Sequence, residues 1–145
     1  AIRLYDFGLR DDAVMWFYAA KDRHIALTEV IEKGHPLLAQ ADEAVRAFAT
    51  LAGPVINGYA FCDIANQQAQ RAKAVAWVEA NPYKAVFHEK LASRKPDRKA
   101  ALAAVVADIK ASAAKESAYL SDPKNVAEMK ATRARNGVDE RYCWR

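Results

Sequence analysis

The chain has 145 residues, 52% hydrophobic and 28% charged, with a formal net charge of +4. This is ordinary globular composition, of a size that buries most of what the unfolded chain exposes, and it argues against disorder. No run approaches the ~20 apolar residues that span a bilayer, and two cysteines are too few for a disulfide framework or a four-ligand zinc site.

Thirty-two alanines stand against nine leucines and five glycines. Alanine is the best helix former, and so few glycines do not supply the turns of an all-β chain. The expected class is therefore all-α: one domain over 1–145, a bundle of about five helices, with an irregular N-terminal lead and a C-terminal tail packed on the bundle.

The opening "AIRLYDFGLR" reads as that irregular lead. Asp11 or Asp12 then offers a helix N-cap. The first helix is expected to run to about Lys33 and stop at Gly34. Its stripe is Trp16, Ala20, His24, Leu27 and Ile31, and "AVMWFYAA" (13–20) is apolar all round, as befits a segment enclosed by neighbours. Lys21, Asp22 and Arg23 mark a return to solvent.

A second helix is expected from Pro36 to Gly53, and a third from Pro54 to about Ala80, closed by Pro82. Residues 83–95 read as a short turn or helix and an exposed loop. Pro96 and Asp97 start a fourth helix burying Leu102, Val105, Val106, Ile109, Ala113 and Leu120. Ser121 or Asp122 caps a fifth that Gly137 ends. In the tail "VDERYCWR", Tyr142 and Trp144 are expected to fold back onto the bundle. Cys62 and Cys143 either bridge the tail to the middle of the chain or remain separate thiols.

Catalytic chemistry has little to stand on. His24, His35 and His88 have no helical ligand spacing, and there is no HExxH, CxxC, P-loop, GxSxG or dinucleotide fingerprint. No catalytic residue, metal site or cofactor is assigned. Residues 84–145 carry 14 Lys/Arg against 8 Asp/Glu. That surplus is too small, and too poor in recognition motifs, to indicate nucleic acid.

The expectation is a non-catalytic protein that binds another protein with an acidic surface, in its narrowest form a bacterial inhibitor or immunity protein occluding a toxin or enzyme. The contact candidates are Arg94, Lys95, Arg98, Arg133, Arg135, Arg141, Tyr142 and Trp144. The alternative is a small-molecule site, or an enzyme, built on a polar helical edge: Tyr59, Asp63, Asn66, Gln67 and Gln70. A chain that begins at Ala1 fits a processed, exported form or a cytoplasmic one, and oligomeric state is not encoded in any feature above.

Overall fold

The structure is a computed structural model that describes residues 1–143, with Leu37 described by its backbone alone. It is all-α. Among the described residues, seven helices take the place of the expected five: α1 (Ile2–Asp6), α2 (Arg10–Val30), α3 (Pro36–Ala60), α4 (Ile64–Ala80), α5 (Arg98–Ser121), α6 (Pro123–Arg135) and α7 (Val138–Tyr142), with a 3-10 turn at Lys84–Phe87. Among the described residues there is no strand, only an isolated antiparallel bridge between Ile31 and Ser93.

The helix α2 is the spine. Its first half packs Val14, Phe17, Tyr18 and Ala19 against Ala52, Ile56 and Ala60 of α3 and Ala74 and Val78 of α4. Its second half packs Ala26, Leu27 and Val30 with Ile31, Leu38, Val86 and Leu102. Burying a side chain such as Phe17 or Ile56, each 1% exposed, stabilises the fold by about 1.5–3 kcal/mol. Alanines at 13, 19, 26 and 74 let the helices approach closely.

Several boundaries differ from the sequence expectation, each for a local reason. The lead folds as α1, with Tyr5 N donating to the Ala1 carbonyl at 3.0 Å. Leu9, not Asp11 or Asp12, occupies the N-cap of α2, which frees the Asp11 carboxylate for contacts elsewhere. That helix stops at Val30, because Glu32 N and Arg94 N bond across to the Ala92 and Val30 carbonyls.

Gly53 and Pro54 do not separate two helices; Pro54 lies inside α3. Proline removes the donor for the Thr50 carbonyl, a loss that the exposed position of Thr50 and Pro54 makes tolerable. The real break falls at 61–63, where Asp63 adopts extended backbone and its side chain accepts from Asn66 N.

The expected inward stripe of α2 holds at Leu27 and Ile31, both buried, but not at Trp16 and Ala20, which are exposed. Trp16 is 40% exposed, resting edge-on against Trp77 at a centroid distance of 4.8 Å. Asp22, expected in solvent, is 3% exposed. By contrast α5 and α6 begin close to where the sequence puts them, with Asp97 capping α5 by accepting from Ala100 N and Asp122, of the two candidates, capping α6 by accepting from Lys124 N. Gly137, at φ 61°, ends α6.

Candidate functional site

Three features separate themselves: a polar network inside the bundle, a polar cleft at one end, and an apolar trough at the other.

The network begins with Asp22. Arg71 of α4 reaches its carboxylate with two nitrogens, Nη1 at 2.5 Å and Nη2 at 3.2 Å. Glu116 of α5 lies 3.4 Å from Arg71 Nε and accepts from Gln67 Nε2 at 2.9 Å. Gln67 Nε2 also reaches Tyr18 Oη at 3.3 Å, and Tyr18 donates on to Asn57 Oδ1 at 3.1 Å. Burial holds the Tyr18 phenol above its ordinary pKa, with the Glu116 charge adding to it and the Gln67 hydrogen bond and Arg71 opposing. Gln67 and Gln70 are thus interior groups, 1% and 5% exposed, rather than a wet edge. Gln67 Nε2 ties α4 to Tyr18 of α2 and Glu116 of α5, which helps fix helix register, while the Oε1 atoms of Gln67 and Gln70 are buried without a protein hydrogen-bond partner.

The cleft gathers the rest of the predicted polar edge. Tyr59, Asp63 and Asn66 line a cavity of about 490 Å³ together with Arg10, Asp11 and both cysteines. Asp11 Oδ1 accepts from Tyr59 Oη at 3.0 Å and from Asn66 Nδ2 at 2.7 Å. Gln70 Nε2 in turn donates to Asn66 Oδ1 at 3.0 Å. Arg10 is held between the rings of Tyr5 and Tyr59, 5.4 and 5.6 Å from their centroids. Burial, and then the hydrogen bond to Asp11, raises the pKa of the Tyr59 phenol, so it is a donor across the neutral range. Asp63 caps α4 from the cleft wall.

The cysteines are bridged, Cys62 to Cys143. The bridge seats α7 against the end of α3, and Arg133 locks the joint. Its Nε binds Asp139 at 2.7 Å and its Nη2 donates to the Gly58 carbonyl at 2.8 Å. Tyr142 lies flat on Gly58, where any Cβ would collide with its ring. This fixes the tail on the bundle as far as Tyr142; Trp144 lies outside the described residues.

The predicted contact arginines are placed less favourably. Arg133 is 9% exposed and structural. Arg98 donates to the carbonyls of Val86, His88 and Leu91, so it staples the loop before α5. Arg94 pairs with Glu29 at 3.2 Å, Lys95 is exposed in the same loop, Arg135 donates to Thr132 Oγ1, and Arg141 stands 6.0 Å over the Tyr142 ring. The 94–98 group lies where α5 begins and the 133–142 group beside the α3–α4 junction, where α5 ends. A helix of 24 residues is about 36 Å long. The two groups do not form one continuous surface.

Sequence reasoning missed the trough. A depression of about 550 Å³ runs between the end of α4, the 3-10 turn and α5, lined by apolar groups including Val78, Tyr83, Phe87, Leu102 and Val106. Lys99 and Lys110 stand on its rim, eleven residues or about 16 Å apart along α5. Lys110 is paired with Glu79 at 2.6 Å. Arg23 braces the α4 end of the trough, its guanidinium 4.0 Å from the Trp77 ring centroid and 5.2 Å from that of Tyr83. The only sequence signal was the aromatic spacing in "YKAVF", which does not say what it faces.

A protein of Haemophilus influenzae described only as uncharacterized is 34% identical over 144 residues, 99% of this chain and 55% of that protein. The chain therefore spans about half the length of that relative. No family model and no solved structure matches. Among the described residues, no group of three or more His, Cys, Asp or Glu could hold a metal ion, and no helix is long and apolar enough to cross a membrane.

Proposed function

We propose that this chain is a non-catalytic binding module that seats an acidic amphipathic segment of another protein in the trough between α4 and α5. The observation that carries it is the apolar, ~550 Å³ depression with a lysine toward each end of its α5 wall. Ligand sites are concave and mostly apolar with a few placed charges. A helical segment showing apolar residues at i, i+3/i+4 and i+7 fits such a groove. An acidic residue flanking that stripe meets Lys99, while Lys110 would exchange its pairing with Glu79 for the partner's carboxylate, and the charge also speeds encounter. In the narrower form of this reading the partner is a toxin or enzyme that the chain occludes, acting as an inhibitor or immunity protein.

The test is fluorescence polarisation with three labelled 14-residue peptides: acidic amphipathic, its scrambled version, and its lysine counterpart. The acidic amphipathic peptide should bind, and Val106→Asp or Lys99→Glu should weaken it at least tenfold. Equal binding of all three, or none at millimolar concentration, overturns the reading. Displacement of a bound apolar dye by dodecanoate but by no peptide overturns it in favour of a lipid carrier.

The polar cleft supports a second reading, a small-molecule site. The favouring observation is that Tyr59, Asp63 and Asn66, three of the five residues the sequence singled out, meet around one cavity of about 490 Å³.

A further inference from the structure

We propose that residues 84–99 are the anchoring half of the trough site. They take an acidic tail that follows the partner's amphipathic helix at its C-terminal end, and so fix the direction in which that helix lies. The inference deepens the peptide reading of the trough and rests on it.

The net charge of the chain is concentrated in this segment. Residues 84–99 carry six Lys/Arg and two Asp/Glu, a net +4, and the rest of the chain carries sixteen of each. The two arginines are engaged, Arg94 with Glu29 and Arg98 with three loop carbonyls. Asp97 is occupied as the cap of α5. Lys84, Lys90, Lys95 and Lys99 are all exposed, and among the described residues none of their ammonium groups is paired with a carboxylate. Within the segment Glu89 alone offsets them.

These lysines and the trough belong to one surface. Tyr83, Phe87 and Lys99, from the same stretch of chain, line the trough. Arg98 donates to the carbonyls of Val86, His88 and Leu91. That ties the segment carrying Lys84 and Lys90 to the first turn of α5, where Lys99 stands on the rim.

The two ends of the trough differ, and the difference sets a direction. Lys110 at the far rim pairs with Glu79 at 2.6 Å, so a carboxylate arriving there gains only what Glu79 gives up. At the near end the lysines await a partner. A helix of about eleven residues covers the ~16 Å from Lys110 to Lys99. Its C-terminal carbonyls carry about half a negative charge. With that end over the 3-10 turn, both the dipole and an acidic tail beyond it face the lysines, and the helix runs antiparallel to α5. Reversed, it sets the positive end of its dipole against them. A nucleic-acid backbone would also meet the lysines, but it brings no apolar stripe to fill the trough beside them.

The experiment measures fluorescence polarisation with an uncharged 11-residue amphipathic core, capped at both termini. It is used alone, with four glutamates at its C-terminus, and with the same four at its N-terminus. The C-terminal tail should tighten binding at least tenfold over the core, and the N-tailed peptide should bind at least threefold less tightly than the C-tailed one. Lys84→Gln/Lys90→Gln/Lys95→Gln should bring the C-tailed peptide to within twofold of the core and leave the core's own affinity unchanged. A nitroxide on the C-terminal tail should broaden the NMR signals of residues 84–91, and one at the other end those of Glu79 and Lys110. The reverse broadening pattern, or equal affinity of the two tailed peptides, overturns the inference. A tail that adds less than twofold to a core that still binds, and that Val106→Asp still abolishes, overturns it while leaving the trough as a site. A C-tailed peptide with a scrambled core that binds as tightly removes both readings. A 16-nucleotide oligothymidylate that matches the C-tailed peptide, and loses its affinity in the triple variant, overturns the inference in favour of nucleic acid.

Discussion

Replacing Asp22 or Arg71 should destabilise the chain unequally, and the inequality tests the interior network. The Asp22 side chain is 4% exposed and that of Arg71 12%. Removing one member of a buried pair costs about 3–5 kcal/mol, because the survivor keeps its charge without its partner. In Asp22→Leu, Arg71 retains Glu116 near its Nε, so the cost falls toward ~3 kcal/mol. In Arg71→Met, Asp22 loses both hydrogen bonds that hold it, and Glu116 loses a cation as well. That variant should sit near ~5 kcal/mol, a large fraction of the ~5–15 kcal/mol that holds a typical domain together. The double variant Asp22→Leu/Arg71→Met leaves no unpaired charge at this pair and should recover to within about 1–2 kcal/mol of the parent. Urea unfolding of all four proteins, with equal slopes required, gives the cycle. The account is refuted if both single variants cost under about 1 kcal/mol, or if the double variant equals their sum.

Two further outcomes follow from local geometry. Gly58→Ala should dislodge Tyr142 from the end of α3, costing about 1–3 kcal/mol as an overpacked contact and speeding proteolysis of the tail; a tail as resistant as the parent's refutes that seat. His24 lies 2.8 Å from Asp42, yet burial first and then Arg46 hold its pKa below the ordinary 6.5. Between the folded and unfolded values the unfolded chain binds the extra proton, so this contribution is present above pH 6.5 and is lost as pH falls through the folded value. An NMR titration midpoint for His24 above 6.5 would reverse the sign.

The legible parts of the fold were those fixed by neighbours in sequence. Asp97 and Asp122 as caps, Pro123 in a first turn and Gly137 as a stop need only three or four residues of context. The illegible parts depended on distant partners. Pro54 is a fair helix start by its own chemistry; whether it interrupts depends on solvent reaching the Thr50 carbonyl. "AVMWFYAA" contains apolar residues at every angle, so its inward face is chosen by α3 and α4, not by its own period. The charges divide in the same way. Asp22 and Arg133 look like surface residues until Arg71 and Gly58 are brought beside them. Tyr59, Asp63 and Asn66 were found because polar groups at helical spacing are visible along a chain. Arg10 and Asp11 were missed because they arrive from α2, and the trough because its walls come from α4, the 3-10 turn and α5, which only the fold brings together.

This division also bears on how function is to be tested. The cleft sits at the α3–α4 break, where the disulfide, Arg133 and the Tyr142–Gly58 contact converge. The trough sits where α4 ends, so its α4 wall at Val78 lies twelve residues beyond Asn66, about 18 Å along the helix. Substitutions that far apart, with no shared partner, act additively to within a few tenths of a kcal/mol. A change at Val106 that abolishes peptide binding therefore says nothing against the cleft, and Arg10→Gln leaves the trough intact. The cleft end is cross-linked and polar, built to hold a fixed constellation. The trough end is closed by a 3-10 turn and a loop tied to the end of α2 through Ser93 and Arg94 and to α5 through the Arg98 guanidinium. The 3-10 turn contributes Phe87 to the trough wall, and hydrogen exchange should slow there and along the facing edge of α5 when the acidic peptide binds.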